Sequence, residues 1–295
     1  METPQPQLSI LIVNFNGKNV IENCLTSIRE NLTIPHEIIV VDNLSTDGSP
    51  LLIQANFPEV RLVENNENVG FARANNQAAE LALGKYLLLL NNDTVLLNDL
   101  RPLIEYMEKK PEIGATGIKM FGKDMEYRFS AGYFPSPWRL IKISTVYKKN
   151  QYFTTGNFPK HPDSHLVDWV EGSFLCTPRE LWHQINGLDE SYFMYVEDVD
   201  YCKKIQLAGL QTHFYPHIAY QHFGGYGMGR SHLIIKGFRK FHQNFSPFFT
   251  RLAANLVLTL GLWVRFLISY FLYVITRKET YLQRGKTCLK AISGQ

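Results

Sequence analysis

The sequence predicts an α/β fold: a mostly parallel sheet with helices on both faces, followed by C-terminal helices that associate with a membrane. Over the first 120 residues, short apolar runs alternate with segments of helical periodicity, which is typical of a parallel sheet covered on both faces. Polar turns follow four of the apolar runs. After residue 202 the chain is both basic and strongly apolar, a combination typical of helices at a membrane surface.

Each apolar run predicts one strand, and each periodic segment predicts one helix. The strands are predicted at residues 8–13, 38–41, 60–63, 86–90 and 167–175. The helices are predicted at residues 20–28, 72–83, 100–107 and 202–208, the last ending at Gly209 as a C-cap. Residues 121–165 contain four prolines and no regular pattern, so we expect an insertion or a flexible crossing segment there.

The length of 295 residues suits one or two domains with a well-buried core. We expect an α/β domain over residues 1–245 and a basic, apolar helical tail over residues 246–295. No repeat is apparent, which argues against a solenoid or propeller. The four cysteines lack a CxxC spacing, so a reducing compartment is favoured over a disulfide framework. The start of the chain has no basic leader, and we expect no signal peptide.

The charge is unevenly distributed along the chain. From Lys203 onwards there are thirteen Lys or Arg and one acid, Glu279, whereas residues 1–202 hold seventeen bases and twenty-six acids. Such a basic segment usually faces a polyanion or an anionic surface, and the alternative is a solubilising tail. Because the basic segment is also the most apolar one, we predict an anionic membrane surface as its partner and no nucleic acid.

Asparagine, aspartate and glycine cluster where the first four strands are predicted to end. In sheets of this kind, ligands bind at the carboxyl ends of the strands, so four polar turns at that edge predict a nucleotide site. Each such residue is also a common turn former, which is the alternative interpretation. The candidate nucleotide-binding residues are Asn14, Phe15, Asp42, Asn68, Gly70, Asn91 and Asn92.

Asp93 is the acid that best fits a cation site, because it directly follows the most apolar strand. A reaction that expels a diphosphate builds up negative charge, and a hard divalent cation held by a carboxylate stabilises that charge. The alternative is a helix N-cap after Thr94. For Asp42 the alternative is an Asx turn, and for Phe15 it is a place in the core.

Among the acidic residues, the adjacent pair Glu197 and Asp198 is the strongest candidate for acid–base catalysis. A carboxylate in a cleft can act as a general base, and an adjacent like charge raises one pKa towards neutrality. Asp200 is expected to be an N-terminal acid that interacts with the helix dipole. The alternative is that all three acids cap the following helix.

The histidines His213, His217 and His222 do not predict a zinc site, because no fourth ligand is apparent and Pro216 interrupts any helix carrying the first pair. The glycine run 224–229 resembles a dinucleotide-binding loop only superficially. We expect a mobile lid there, with Arg230 as a charge partner for a diphosphate.

Several motifs together resemble the family-2 glycosyltransferases, and most of all their bacterial rhamnosyltransferase-like branch. The resemblance covers residues 8–245 and is carried by six motifs in order, followed by His222. The motifs are VNFNG (13–17), VDNLSTDGS (41–49), NENVGFARANNQA (66–78), LLLLNNDT (87–94), WVEGSFL (169–175) and FMYVEDVDYC (193–202).

The resemblance implies a GT-A-like fold and a role for each motif. Asp93 and His222 match the ligands of Mg²⁺ or Mn²⁺, although the Asp-x-Asp motif of the family begins here with Asn91. Asp42 matches the residue that accepts the N3–H of uracil or thymine, and Phe15 matches the ring that stacks on the base. Asp198 matches the catalytic base, with Glu197 as its neighbour. Trp169, Gly172 and Arg230 are candidates for the acceptor site or the lid.

The stretch 252–275 is long enough to cross a bilayer, but Arg265 lies near its middle and both flanks are basic. In-plane helices at the cytoplasmic leaflet fit this pattern better, with Trp263, Phe266, Tyr270 and Phe271 inserted. The alternatives are a spanning helix, core packing and a homo-oligomer interface. The predicted location is the cytoplasmic face of the cell membrane, as a peripheral or monotopic protein.

These observations predict an inverting glycosyltransferase that moves a sugar, such as rhamnose or another deoxyhexose, from a nucleoside diphosphate to a hydroxyl. The predicted donor is linked to dTDP or UDP, and the predicted acceptor is a cell-surface glycan or a lipid-linked glycan. The alternatives are a nucleotidyltransferase acting on sugar phosphates and a non-catalytic, membrane-anchored partner protein that binds sugar nucleotides. A glycosidase is disfavoured because it has no use for nucleotide-binding turns.

Overall fold

The computed structural model of the protein describes residues 5–224 and 231–293. These residues form two compact units. The first comprises residues up to 133 together with 147–193 and 197–224, and the second comprises 134–146, 194–196 and 231–293. The predicted domain boundary at residue 245 stays a prediction. In the structure, the helix that precedes this boundary belongs to the second unit.

Within the described residues, the first unit holds all the strands and most of the short helices. The strands are β1 (Leu8–Asn14), β2 (His36–Asp42), β3 (Arg61–Glu64), β4 (Tyr86–Leu90), β5 (Thr94–Leu96), β6 (Ile113–Phe121), β7 (Tyr127–Arg128), β8 (Ala131–Gly132), β9 (His165–Val167), β10 (Trp169–Val170), β11 (Phe174–Pro178) and β12 (Gln211–His222). Its helices are α1 (Ile21–Asn31), α2 (Ser49–Asn56), α3 (Phe71–Glu80), α4 (Arg101–Glu108), α6 (Gln151–Thr155), α7 (Arg179–Gln184) and α8 (Glu197–Leu207).

The main sheet has the strand order β3-β2-β1-β4-β11-β6-β12-β5, with β7 and β9 attached to β6 and β12. Strands β3, β2, β1 and β4 are mutually parallel, and β6 is parallel to β12. Strand β11 runs antiparallel between β4 and β6, and β5 runs antiparallel to β12. The mostly parallel α/β fold is therefore confirmed, with antiparallel strands in the second half of the sheet.

The parallel strands are apolar throughout because they are covered on both faces. The interior residues of β1 and β4 are 0–1% exposed, apart from Val13 and Tyr86 at the strand ends. The register pairs Asn14 with Asp42, so the ends of β1 and β2 lie side by side. This pairing brings the first two polar turns to one edge of the sheet.

Two predicted elements differ from the structure. The segment 167–175 is not one strand: β9 pairs with β12, β10 leaves to pair with β8 in a separate two-stranded sheet, and β11 joins the main sheet. An apolar run contains no signal for such a change of partner. The helix predicted at 202–208 begins at Glu197, because the three acids ahead of it form its first turn.

The second unit is helical. It contains α5 (Pro137–Ile141), α9 (Ser231–Phe245), α10 (Phe248–Thr276) and α11 (Glu279–Ser293), with a 3-10 turn at Ile143–Thr145. Arg239 of α9 donates hydrogen bonds to the Ala291 carbonyl and to Thr259 Oγ1, both at 3.1 Å, which ties the three long helices together. Part of the segment expected to be irregular, 121–165, thus belongs to this unit and packs against α10 through α5.

Helix α10 is apolar on its exposed as well as its buried side. Among the described residues it is the one helix long and apolar enough to cross a membrane, judged by length and composition. Its buried residues are Ala254, Leu258, Leu262 and Ser269. Its exposed large apolar residues are Phe248, Phe249, Leu252, Leu256, Leu260, Trp263, Val264, Leu267, Ile268, Tyr270, Phe271, Val274 and Ile275.

Candidate active site

Asn14 is the centre of a buried hydrogen-bond network at the carboxyl edge of the parallel strands. Its Nδ2 donates to Asp42 Oδ2 at 2.7 Å and to Ser49 Oγ at 2.8 Å, and its Oδ1 accepts from Asn92 Nδ2 at 2.8 Å. The side chain of Asn14 has no solvent exposure. One amide therefore connects the turns that follow β1, β2 and β4.

Asp42 is also held by its own turn. Its Oδ1 accepts from the Ser45 amide at 2.7 Å and its Oδ2 from Ser45 Oγ at 2.6 Å, which is the Asx-type turn named as the alternative. The residue is 1% exposed. Phe15, by contrast, is not a core ring, because half of its surface is exposed beside this turn. Contacts of both residues with a nucleotide base stay predictions.

Asn68 and Gly70 organise the turn before α3. Asn68 Oδ1 accepts hydrogen bonds from the Gly70 amide at 3.0 Å and from Asn43 Nδ2 at 3.3 Å. A Cβ on Gly70 would lie 2.5 Å from the Phe193 carbonyl oxygen, so this position must be glycine. The absence of a side chain at Gly70 allows Phe193, in the segment that leads to Glu197 and Asp198, to pack against it. The approach of Gly70 to a nucleotide stays a prediction.

Asp93 and His222 face each other at 3.1 Å, measured from Oδ1 to Nε2. Strands β5 and β12 bring them together, because Thr94 pairs with His222 and the Phe223 amide donates to the Asp93 carbonyl oxygen. The alternative role for Asp93, capping a helix after Thr94, is wrong because Thr94–Leu96 is a strand. Asn91 Nδ2 lies 3.5 Å from the same imidazole nitrogen.

This pair fits a divalent cation that is shared with a diphosphate. A Cβ on Gly224 would lie 2.2 Å from Asp93 Oδ2 and 3.1 Å from His222 Nε2, so a larger residue at this position would displace the two side chains. Within residues 5–224 and 231–293, three or more His, Cys, Asp or Glu never group into a metal site. A cation here would therefore need oxygen ligands from a bound diphosphate or water.

The charge of Asp93 also acts on the imidazole. Burial by itself would lower the pKa of His222, but the hydrogen bond and negative charge of Asp93 raise the pKa above its usual value. The imidazole and the carboxylate thus form a tight polar pair at the edge of the sheet. Arg128 acts in the opposite sense on the same imidazole and lowers its pKa.

Asp198 is fixed at the start of α8 by backbone amides. Its Oδ2 accepts from the Gly172 amide and its Oδ1 from the Val199 amide, both at 2.8 Å. Glu197 is 5% exposed, and within the described part of the chain its Oε2 has no hydrogen-bond partner. Asp200 is fully buried and accepts a hydrogen bond from the Tyr192 hydroxyl at 3.0 Å, so it supports packing within the unit.

Both members of the acidic pair have raised pKa values. Burial raises the pKa of Asp198, against the opposing effect of its backbone hydrogen bonds. Burial raises the pKa of Glu197 further, and the neighbouring charges of Asp198 and Asp200 add to this. These are the conditions under which a carboxylate can accept a proton near neutral pH.

The acidic pair and the Asp93–His222 pair lie on the same edge of the sheet. Gly172 donates its amide to Asp198, and the carbonyl of the next residue, Ser173, accepts from the Asn91 amide at 3.1 Å. Asn91 is two residues before Asp93. Asp198 and Asp93 are therefore linked through one hydrogen bond from the backbone to the Asp198 side chain, one hydrogen bond between backbone groups, and short stretches of chain.

Two of the predicted acceptor or lid residues lie in the described chain. Gly172 contacts Asp198 as stated above. Trp169 is 4% exposed, and its indole N–H donates to the Tyr133 carbonyl at 2.9 Å, so the ring is packed inside the unit. Arg230 lies outside the described residues, as does the glycine run from residue 225. The acceptor role of Trp169 stays a prediction.

Several residues that surround the site were not predicted from the sequence. Glu171 is 7% exposed, and its charge raises the pKa of His222. Ser173 Oγ lies 2.7 Å from the Tyr220 hydroxyl. Arg128 donates to the Gly224 carbonyl at 3.0 Å and pairs with Glu126 at 2.6 Å. The quoted motif WVEGSFL already contained Glu171, whereas Arg128 lies in the segment that showed no pattern.

The fold of the first unit is a GT-A fold, and the protein is an inverting glycosyltransferase that uses a nucleotide sugar. Residues 9–165, more than half of the chain, match the family model described as glycosyl transferase family 2. The chain belongs to this family, and the resemblance inferred from the motifs is confirmed.

Two curated relatives are rhamnosyltransferases by name. The chain is 27% identical over 248 residues to the N-acetylglucosaminyl-diphospho-decaprenol L-rhamnosyltransferase of Mycobacterium tuberculosis, covering 77% of this chain and 80% of the relative. It is 30% identical over 164 residues to rhamnosyltransferase WbbL of Escherichia coli, covering 50% of this chain and 58% of the relative.

The fold also matches solved structures. One is the mannosyltransferase PcManGT from Pyrobaculum calidifontis in complex with GDP-Man and Mn²⁺, with a TM-score of 0.59 and 16% identity. The match covers 98% of this chain and 86% of that chain. At this identity the likeness establishes the shared fold.

Proposed function

We propose that the protein transfers rhamnose or a related deoxyhexose from a dTDP- or UDP-linked donor to a hydroxyl of a lipid-linked glycan, with inversion at the anomeric carbon. The observation that supports this most is the linkage of Asp198 to Asp93 through Gly172, Ser173 and Asn91. A base and a diphosphate site on one edge are what a direct displacement needs, since the acceptor attacks opposite the leaving group.

Asp198 is proposed as the general base. Its carboxylate would take the proton of the acceptor hydroxyl as the oxygen forms its bond to the anomeric carbon. In the same step the bond between that carbon and the diphosphate oxygen breaks, and the diphosphate leaves with the electron pair. A positioned base typically contributes about 10²–10⁴-fold to the rate.

Asp93 and His222 are proposed to hold Mg²⁺ or Mn²⁺ together with the donor diphosphate. Such a cation, when bound, stabilises the negative charge of a departing diphosphate. The contact of 3.1 Å between the two side chains supports this assignment, because it places a carboxylate oxygen beside an imidazole nitrogen. The presence of Mn²⁺ in the matched mannosyltransferase complex is consistent with it.

The Asn14 network is proposed to shape the nucleotide site. Asn14, Asp42 and Asn92 fix one another, so the turns that carry them would be pre-organised before the donor binds. The exposed ring of Phe15 is available for stacking on the base. Pre-organisation reduces the loss of conformational freedom on binding.

The names of the relatives support the proposed substrates. Both are rhamnosyltransferases, and the mycobacterial one acts on N-acetylglucosaminyl-diphospho-decaprenol, which is a lipid-linked saccharide. A lipid-linked acceptor would lie at a membrane, and α10 presents an apolar surface with exposed aromatic rings. We propose that α9, α10 and α11 lie in the plane of the cytoplasmic leaflet, with their lysines and arginines on anionic headgroups.

A thermal-shift panel tests the donor assignment. Sugar nucleotides of dTDP, UDP and GDP are added to the full chain with and without Mn²⁺, and Tm is measured. We expect one of the dTDP or UDP donors to raise Tm in a Mn²⁺-dependent manner. Asp93→Asn should remove the Mn²⁺-dependent part, whereas Asp124→Asn, at an exposed acid, should not. No shift with any donor would contradict the proposal.

A further inference from the structure

Two consecutive residues directly before Glu197 adopt a left-handed backbone conformation. Tyr195 has a φ of 72° and Val196 a φ of 75°. This region is rarely adopted by L-residues and least of all by β-branched ones such as valine. Such a conformation persists only where neighbouring contacts hold it. The turn formed by residues 194–196 must therefore be held by what packs against it.

Gly237 of α9 packs against this turn within the second unit. A Cβ on Gly237 would lie 2.6 Å from Val196 Cγ2 and 2.8 Å from the Tyr195 carbonyl oxygen. Real Cβ atoms do not approach other heavy atoms this closely, and a backbone carbonyl cannot give way unless the turn moves. Helix α9 can therefore pack against the turn in this conformation only if residue 237 is glycine.

The chain is also fixed just before and just after the turn. The carbonyl of Phe193 accepts from the Phe71 amide at 2.8 Å, and the carboxylate of Asp198 accepts from the Gly172 amide at 2.8 Å. Three residues span the distance between Phe193 and Glu197. The conformation of these three residues therefore determines the orientation of the first turn of α8, which carries Asp198.

We propose that Gly237 is a positioning residue for the transfer reaction: it allows α9 to hold the 194–196 turn, and the turn orients the Asp198 carboxylate. The inference rests on the proposed role of Asp198 as the base. It extends the role of the C-terminal helices from membrane contact to the geometry of proton removal from the acceptor. The side chains that touch substrate remain those of the first unit.

The test is Gly237→Ala in the full chain, with Gly261→Ala as the matched control. Both glycines lie in long helices of the same unit, but a Cβ at Gly261 meets no other atom within 4 Å. We expect G237A to lower kcat by about 10²-fold, the loss typical of a displacement of about 1 Å at a reacting group. KM for the sugar nucleotide should be unchanged, and G261A should match the wild type in both constants.

A second substitution separates positioning from a general loss of structure. Val196→Gly in the G237A background removes the side chain that meets the new methyl group and accepts a positive φ without strain. It should restore part of kcat, which a merely destabilised protein would not show. If G237A does not fold, Val196→Ala, which removes the Cγ2 facing Gly237, should by itself lower kcat at unchanged KM.

Equal kcat for G237A and G261A would overturn the inference, as would an unchanged kcat for V196A. The inference would also be overturned if the whole loss of kcat/KM in G237A came from a higher KM for the donor, with kcat unchanged. An Asp198→Asn variant assayed in parallel distinguishes an error in the proposed base from an error in the proposed role of Gly237. If D198N transfers sugar normally, the proposed base is wrong; if D198N is inactive and G237A is fully active, only the role of Gly237 is wrong.

Discussion

At the scale of single residues, two acidic groups have different surroundings, and we propose different tasks for them. Asp93 faces an imidazole at the edge of the sheet, where it can share a cation with a ligand. Asp198 is held by two backbone amides in a buried setting that raises its pKa. The first setting favours charge stabilisation, and the second favours proton transfer.

Replacement of His222 tests the cation site. Loss of a group that merely supports a metal ligand costs about 10–100-fold in metal affinity, so loss of a ligand should cost at least that much. We expect His222→Ala to raise the Mn²⁺ concentration for half-maximal transfer by this factor or more. His217→Ala, on the same strand but exposed, is the control. Equal Mn²⁺ requirements in the two variants would contradict the assignment.

The raised pKa values predict how the rate depends on pH. A base works only when ionised, so kcat should fall as the pH drops through the raised pKa of the Glu197–Asp198 pair, above the usual range for an aspartate. Glu197→Gln removes a like charge, favours ionised Asp198 and should move this acid limb to lower pH. Glu180→Gln, at an exposed acid, should leave the limb in place. An acid limb unchanged in E197Q would rule out coupling within the pair.

At the scale of elements, the parallel strands converge on Asn14. The amide of this side chain links β1 to the turns after β2 and β4 through hydrogen bonds of 2.7–2.8 Å. Because the groups are buried, removing the amide leaves polar atoms without partners. The stability of the sheet and the proposed nucleotide site therefore depend on the same network.

Asn14→Ala should lower the free energy of unfolding by at least about 2 kcal/mol, since each buried polar group left unsatisfied costs about 1–3 kcal/mol. Chemical denaturation measures this loss. Asn56→Ala, at an exposed asparagine in α2, should change the free energy by no more than about 0.5 kcal/mol. The network account would be in error if both variants lost the same small amount.

The parallel half of the sheet and its polar turns were predictable from the sequence because both signals are local. The strand 86–90 was predicted with the bounds that the structure has, since a fully buried strand reads as one apolar run. The division of 167–175 into three strands was not predictable, because it depends on the distant partners β8 and β12. For the same reason Arg128 and Gly237 escaped notice: their contacts are with residues far away in the chain.

At the scale of the whole molecule, charge and apolar surface are concentrated in the helices that follow residue 230. Residues 231–293 contain ten lysines and arginines and one acid. Their most exposed apolar side chains lie on α10. Such a surface combines the hydrophobic and electrostatic terms that hold a protein on an anionic bilayer.

Vesicle sedimentation tests this surface. The protein should pellet with anionic vesicles and less so at higher salt, because salt screens the headgroup charge. Leu256→Asp combined with Leu267→Asp should reduce pelleting strongly, since both residues are more than half exposed on α10. Gln243→Asp, an exposed polar position on α9, is the control for added negative charge. Pelleting of the double variant at the wild-type level would show that α10 does not enter the bilayer.

The most direct test of the account is a comparison of donor binding and sugar transfer in Asp198→Asn. The substitution keeps the size of the side chain but removes its ability to accept the proton of the acceptor. We predict that D198N binds the sugar nucleotide and Mn²⁺ as the wild type does and transfers the sugar about 10²–10⁴-fold more slowly. Transfer by D198N at the wild-type rate would contradict the central claim that this carboxylate activates the acceptor.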